Sequence, residues 1–351
     1  MQLLRGLKNI PKTLKNTAIT IGNFDGVHRG HQALLDTLVI EAKKKNLQTV
    51  LIIFEPQPNE FFLGDKAPAR LMRLREKIET IDILSLRAVD EAIQENTGLC
   101  RSKAFRNDGS IAPSLRGRVD YLLCLSFNKK FSEISAEDFV SEFLIKKLKM
   151  KLCVVGDDFR FGARKAGDFN LLNTLSERHH FQLISMPTEQ SENNRISSTQ
   201  IRADLKAGNL KAAEKLLGHP YHMTGRVAHG NKLGRRLGFP TANLYLHRQV
   251  VPISGIFVVR VLGLDKIYYG AANVGVRPSI DHLSTRVLLE VYLLDFSQDI
   301  YGRYITVEFL HKLRDEERYE NLELLREQIV RDVDAVKHWI SCSAHTSLQE
   351  A

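Results

Sequence analysis

No run of about 18 apolar residues occurs anywhere in this chain of 351 residues, which excludes a conventional membrane-spanning helix. The opening segment, Met1 to Lys15, carries basic side chains but no apolar core of signal-peptide length. A cytoplasmic, unanchored protein is expected. Cysteine is sparse and scattered: Cys100, Cys124, Cys153 and Cys342 form no Cys-x-x-Cys and sit in no His/Cys cluster at zinc-ligand spacing. Neither a disulfide framework nor a structural zinc is therefore expected. No internal repeat is visible, and the ends are free of low-complexity sequence except for the short segment Ser341 to Ala351, which reads as a flexible tail.

What remains is the composition of ordinary globular protein, 43% hydrophobic and 26% charged, at a length that suggests about two domains. The formal charge of +9 favours anionic partners. Nucleic acid, acidic membrane and nucleotide phosphates all belong to that class, so charge alone does not choose among them.

From Thr17 to Met186 short apolar runs alternate with helical periodicity. Ala18 to Asn23 is followed by Leu34, Leu35, Leu38, Val39 and Ala42 on one helical face, and then by Val50 to Phe54. A helix is expected at Arg70 to Ile81. The rhythm resumes with Tyr121 to Leu125, a helix opened by Ser135-x-x-Asp138 that turns Phe139, Val140, Phe143 and Leu144 inward, and then Leu152 to Val155 and Phe181 to Met186. This pattern predicts an α/β domain with a parallel sheet. After a polar stretch from Thr188, two short helices are expected to end at Gly208 and Gly218. Beyond them strands crowd together at Gly255 to Val261, Ile267 to Asn273, Leu288 to Phe296 and Ile305 to Leu310, which predicts a small antiparallel barrel. A final amphipathic helix from Tyr319 to Ile340 would cover one side of it.

The first chemistry-bearing constellation joins the first strand to the first helix: Gly22-Asn23-Phe24-Asp25-Gly26-Val27-His28-Arg29-Gly30-His31. Gly22, Gly26 and Gly30 let backbone approach a ligand, and the loop ends at a helix N-terminus whose free N–H groups favour phosphate. His28 and His31 add donors where charge grows on the equatorial oxygens of an attacked α-phosphate, with Mg²⁺ assisting. The plainer alternative is a Gly-rich turn with two solvated histidines, which the strand-turn-helix setting disfavours.

Here the sequence resembles the bifunctional riboflavin kinase/FMN adenylyltransferase family, bacterial FAD synthetases whose first domain is a Rossmann-like nucleotidyltransferase with a His-x-Gly-His motif. The resemblance continues through Phe54-Glu55-Pro56-Gln57-Pro58, Ser135-Ala136-Glu137-Asp138-Phe139, Val155-Gly156-Asp157-Asp158-Phe159-Arg160-Phe161-Gly162 and Ile196-Ser197-Ser198-Thr199-x-Ile201-Arg202. It implies that Gly22, Phe24, Asp25, Gly26 and Gly30 bind ATP, and that Pro56, Pro58, Phe62 and Asn128 shape a flavin pocket. An edge-strand exit with a buried aromatic explains Pro56, Pro58 and Phe62 equally well. The resemblance also implies that Ser197, Ser198, Thr199 and Arg202 meet ATP phosphates. Hydroxyls and N–H groups at a helix start, with a guanidinium one turn later, suit that role, although simple N-capping is the alternative.

The second constellation has no Gly-x-x-x-x-Gly-Lys-Ser/Thr and so is not a P-loop. It runs through Gly225, Gly230, Lys232, Gly234, Arg235, Arg236, Gly238, Phe239, Pro240, Thr241 and Asn243. Thr241 and Asn243, alternate residues on a strand, would point to one face and could hold Mg²⁺. Lys232, Arg235 and Arg236 also fit a nucleic-acid phosphate patch or a solvated loop. Gly-Phe-Pro-Thr-Ala-Asn, Asn273-Val274-Gly275-x-Arg277-Pro278 and Glu290-Val291-Tyr292 resemble riboflavin kinase, which implies Glu290 as the catalytic base. Strand alternation alone puts Glu290 on the solvent face. Arg314-x-Glu316-x-Arg318-Tyr319 resembles the family segment near the flavin, with a solvated charge run as the alternative.

The resemblance implies riboflavin, ATP and FMN as substrates, FAD as product, and a monomer or weak homo-oligomer that uses neither membrane nor nucleic acid. It divides the chain into an adenylyltransferase domain at 1–186, a helical linker at 187–218 that completes the ATP site, a kinase domain at 219–340 and a tail at 341–351. An insertion near 82–116 departs from the family pattern; a tolerated surface loop is the favoured reading, with a lid or a contact surface as the alternatives. Tyr292, Met72 and Ser279 depart from it singly. The rival readings are a kinase with an inactive or regulatory first domain, and a flavin-sensing or RNA-binding regulator.

Overall fold

Strands whose residues are apolar without interruption must be covered on both faces, and the first half of the chain obeys that rule. The computed structural model describes residues 1–83, 119–187, 190–191, 194–230, 233–248, 250–278 and 285–349. The chain forms two units: the first takes Met1–Pro68 and the later residues up to Ser197, and the second takes Ala69–Leu71 and the chain from Ser198 onward. The division thus falls between Ser197 and Ser198, and the helices expected as a linker count with the barrel. Most of the segment expected as an insertion lies outside the described residues, as does Lys232.

The first unit is built on six parallel strands, β1 (Gln2–Arg5), β2 (Thr17–Ile21), β3 (Gln48–Phe54), β4 (Tyr121–Leu125), β5 (Met150–Gly156) and β6 (Gln182–Met186), in the order β1-β4-β3-β2-β5-β6. Every residue of β2 is buried. On one face Ile19, Ile52, Leu123 and Val155 pack with Phe139, Val140, Phe143 and Leu144. The last four are the residues turned inward by the helix that Ser135 caps, whose later part, Phe139–Lys147, widens into a π-helix. On the other face helix α1 (Arg29–Lys44) buries Leu35, Leu38 and Ala42. β1 was not expected, because its four residues bury only Leu4 and carry no readable alternation; pairing with β4 makes it the sheet edge.

Order and connection together fix where a ligand can sit. β3 and β4 lie on one side of β2 and β5 on the other, so the connections reverse direction between β2 and β5. In open parallel sheets the crevice at that point, beyond the carboxyl ends of the strands, is the binding position.

The second unit opens with α2 (Ser198–Lys206) and α3 (Leu210–Leu217), each followed by a glycine at positive φ, Gly208 and Gly218. Six antiparallel strands follow: β9 (His222–Ala228), β10 (Thr241–Tyr245), β11 (Gly255–Leu262), β12 (Tyr268–Pro278), β13 (Thr285–Leu293) and β14 (Tyr304–Arg314); β7 and β8 are the two-residue strands Gln190–Ser191 and Asn194–Arg195 of the first unit. They close as β10-β13-β12-β11-β14-β9. Leu244, Phe257, Leu289, Val291, Val307 and Phe309 are buried, with Phe257 edge-on to Phe309.

Two boundaries differ from expectation. The last helix, α4 (Leu322–Gln349), starts after Asn321, whose side-chain oxygen accepts from the N–H groups of Glu323 and Leu324, and so begins three residues later than the periodicity suggested. At its other end it continues to Gln349 through most of the expected tail, since Ser341 to Gln349 contains neither Gly nor Pro to stop it. The helix expected from Arg70 is formed at 74–83 instead, because the Glu76 carboxylate accepts from the Arg73 N–H at 2.6 Å and caps it there.

Candidate functional site

In the first unit the candidate site is the loop between β2 and α1. It leaves the sheet at Gly22, whose N–H reaches the Ile52 carbonyl on β3. A side chain at Gly22 would meet the Phe24 ring at 2.9 Å, so this glycine is required by close packing. Phe24, Gly26 and Val27 all have positive φ, at 47°, 87° and 43°. For a β-branched residue such as Val27 that is a strained backbone held by its surroundings. The Val27 carbonyl accepts from the Gln32 amide at 2.8 Å.

The side chains of Phe24 and Asp25 are not available to a ligand in the way the sequence suggested. Phe24 is buried in the core, and the buried Asp25 carboxylate accepts from the Met72 N–H at 3.0 Å. What these two residues can offer is backbone. His28 caps α1 by accepting the His31 N–H on Nδ1 at 3.3 Å, and the two rings stack with centroids 3.6 Å apart. That acceptor role places the neutral ring's proton on Nε2. His31 Nδ1 is buried without a hydrogen bond partner among the described residues. Burial, then the neighbouring His28 and then Lys77, hold the His31 pKa well below its ordinary value.

Beside this loop, at the carboxyl ends of β3 and β4, aromatic rings gather. Phe127 is the centre: Phe54, Phe61, Phe62 and Phe131 lie 5.5 to 5.8 Å from it, the first three edge-on. Phe62 is 63% exposed, and Phe61 and Leu63 are exposed beside it. Pro56 follows a cis peptide bond, and Pro58 starts the short helix Pro58–Leu63. Asn128 caps a helical turn by accepting the Phe131 N–H at 3.0 Å. An exposed aromatic group next to a strand terminus can hold a flat apolar ring. Phe127 and Phe61 were missed in the sequence; the position of Phe127, directly beyond a buried strand, was the available signal.

In the second unit the site is a cavity of about 510 Å³. Thr241, Asn243, Glu290, Asn273, Tyr292 and Arg314 line it, together with Gly234, Phe239 and residues of α4. The barrel register explains the grouping. Asn243 lies directly opposite Glu290, and Glu290 lies directly opposite Asn273, so three polar side chains form one rung across β10, β13 and β12. Glu290 therefore faces this cavity, where alternation had indicated open solvent. Asn273 was missed. Its Nδ2 donates to Glu316 Oε1 at 3.4 Å, and its Oδ1 is buried without a partner among the described residues.

The glycines sort by contact. A Cβ on Gly230 would collide with the Asn243 amide, and one on Gly234 with the Phe239 carbonyl. Phe239 meets Tyr292 edge-on at 5.4 Å. Gly225 packs against Leu244, Arg235 is exposed, and Gly238 and Pro240 stand outside the cavity wall. Arg314 forks onto Asp332 of α4 at 2.8 and 2.7 Å, which raises its pKa further. It is thereby a clasp between barrel and helix as well as a wall residue. Among the residues expected at ATP from the second helical pair, Ser198 opens α2, Thr199 is exposed, and Arg202 donates from Nε to the Ala69 carbonyl at 2.6 Å.

Hard oxygen donors on one strand face suit Mg²⁺, and the Thr241 hydroxyl and Asn243 amide oxygen provide two. Among the described residues no group of three His, Cys, Asp or Glu is arranged as a metal site. No described helix is long and apolar enough to cross a membrane.

Comparison with known proteins finds a family model for each part of the chain. The riboflavin kinase family model matches residues 217–340, and the FAD synthetase family model matches residues 10–93 and 115–200. The chain is 45% identical over 334 residues to the bifunctional riboflavin kinase/FMN adenylyltransferase of Escherichia coli K12, covering 95% of this chain and 96% of that protein. It is 42% identical over 338 residues to the Haemophilus influenzae protein of the same name, covering 96% and 98%. A solved structure from Streptococcus pneumoniae, titled a macrolide-efflux protein, superposes with a TM-score of 0.74 at 27% identity, covering 97% of this chain and all of that one.

Proposed function

This chain belongs to the bifunctional riboflavin kinase/FMN adenylyltransferase family, and from that membership we propose how its residues divide two reactions. The barrel phosphorylates riboflavin with ATP to give FMN, and the parallel-sheet unit transfers an adenylyl group from a second ATP to FMN, giving FAD and pyrophosphate.

In the kinase, Glu290 takes the proton of the ribityl hydroxyl as its oxygen bonds to the γ-phosphorus and the bond to ADP breaks. Thr241 and Asn243 hold Mg²⁺, which neutralises phosphate charge when bound. Gly230 leaves room for the Asn243 amide, Lys232 and Arg235 are assigned to phosphate by their charge, and Gly225, Gly234, Gly238, Phe239, Pro240 and Arg314 shape the ATP and flavin positions. The observation that carries this reading is the rung Asn243, Glu290, Asn273 on the wall of the cavity.

In the adenylyltransferase, a phosphate oxygen of FMN attacks the α-phosphorus of ATP and pyrophosphate leaves. His28, with its proton on Nε2, and the neutral His31 donate to the charge that grows there. Backbone from Gly22 to Gly30 cradles phosphate at the head of α1. Ser197, Ser198, Thr199 and Arg202 add phosphate donors. Pro56, Pro58, Phe62 and Asn128, joined by Phe127, receive the flavin. ATP, riboflavin and FMN are the partners, in the cytoplasm, without nucleic acid or membrane, and the protein acts as a monomer or weak homo-oligomer.

The test is a chromatographic time course with riboflavin, ATP and Mg²⁺. FMN rising before FAD is expected. FMN alone would sink the adenylyl assignment, and neither product would sink both.

A further inference from the structure

We propose that Lys77 is a positioning residue of the adenylyl-transfer site: its buried ammonium grips the Asn23 carbonyl and fixes the loop that carries His28 and His31. The proposal rests on the reading that this loop performs adenylyl transfer.

A lysine is rarely found without solvent, since burying an ammonium costs several kcal/mol unless it is compensated. Lys77 is nevertheless only 1% exposed, and so is its neighbour Glu76. The two have separate tasks. The Glu76 carboxylate turns back to the Arg73 N–H and starts the helix. Lys77 Nζ instead leaves the helix and donates to the Asn23 carbonyl, 54 residues earlier in the chain.

A second grip comes from the same short segment. The Met72 N–H donates to the Asp25 carboxylate, so residues 72 and 77 hold loop residues 25 and 23. Between those two anchors lies Phe24 with its positive φ. Because the peptide group is planar and trans, fixing the Asn23 carbonyl toward Lys77 also turns the Phe24 N–H the opposite way. One contact thus sets the direction of a loop donor that the lysine itself does not touch. The ammonium also adds a positive charge behind the loop, and after burial and His28 it contributes to holding the His31 pKa down. In a site shielded from water such a charge favours negative charge growing on phosphate.

The test uses the full-length chain, with FMN and ATP supplied for FAD formation and riboflavin phosphorylation followed in parallel. Lys77→Met should lower kcat for FAD formation by about tenfold or more while changing the KM for ATP by less than about threefold, as loss of a transition-state contact does. Lys77→Arg, which keeps charge and donor, should recover most of that rate, and riboflavin phosphorylation should stay unchanged in both. Lys77→Gln, a neutral donor, decides the matter should the Met variant unfold: it is expected to lose rate where Arg keeps it. Wild-type kcat in Lys77→Met, or equal losses in the Arg and Gln variants, would overturn the proposal. His31→Ala in the same assay keeps the two readings apart. If it leaves FAD formation intact, the site is misassigned; if it abolishes FAD formation and the lysine variants do not, only the role of Lys77 fails.

Discussion

His28 and His31 lie face to face, 18° from parallel, and the second gives its backbone N–H to the first. Stacked imidazoles cannot both become cations cheaply, and Nδ1 of the half-buried His31 is in addition closed off from solvent. Its pKa is depressed below the ordinary 6.5 by that burial and by the charges of His28 and Lys77. Between the depressed value and 6.5 the unfolded chain binds more protons at this position than the folded one. Stability must therefore fall as pH falls through that window. Hydrogen exchange of the β2 and β3 amides between about pH 7.5 and 5 is expected to show the loss, and His31→Gln should flatten it. An unchanged slope in that variant would assign the loss to other groups.

The two reactions should separate by mutation. His28→Ala combined with His31→Ala is expected to lower FAD formation about 100-fold or more and to spare FMN formation. Glu290→Ala should cut FMN formation about 100- to 10,000-fold and leave FAD formation from supplied FMN intact. Initial rates with each substrate supplied separately give both answers, and loss of both activities from either change in folded protein would contradict independent sites.

Gly230 offers a narrower test of the kinase geometry. Its Cβ would occupy the place of the Asn243 amide, so Gly230→Ala must displace a proposed Mg²⁺ ligand. The expected outcome is a kinase rate about tenfold lower or worse, with a higher Mg²⁺ requirement. A variant with the wild-type Mg²⁺ titration would remove Asn243 from the metal site.

The clasp between Arg314 and Asp332 makes a stability prediction. Both side chains are partly shielded, and the carboxylate also accepts from Gln328 at 2.9 Å. Asp332→Ala should destabilise the barrel unit by about 2 kcal/mol, the usual scale for hydrogen bonds to charged groups. Trp339, the single tryptophan, sits on α4 and reports the transition by fluorescence. Denaturant midpoints for Asp332→Ala, Arg314→Ala and the double variant would give their coupling, and additive effects would argue against the clasp.

What could be read without coordinates was what period and spacing encode. The buried runs of β2 to β6, the inward face of the helix after Ser135 and the turn at Gly218 are local patterns. The direction of Glu290 is not local: its two amide neighbours come from β10 and β12, 47 and 17 positions away in the chain, and only register joins them. Phe24 and Asp25 were assigned to ligand because they sit in the motif; packing under Gly22 and the Met72 N–H claim their side chains. Lys77 carries no signal in the sequence, since nothing there says that a charge is turned toward a carbonyl 54 residues earlier.

The rung of Asn243, Glu290 and Asn273 has a consequence for how this barrel can change over time. A slip of one residue in either neighbouring pairing would send an amide to the opposite face of the wall and separate it from the carboxylate. Loops around the cavity can lengthen, shorten or exchange residues without that penalty. Variation in substrate preference should therefore accumulate in the connections, while insertions and deletions inside β10, β12 and β13 should be tolerated only in compensating pairs.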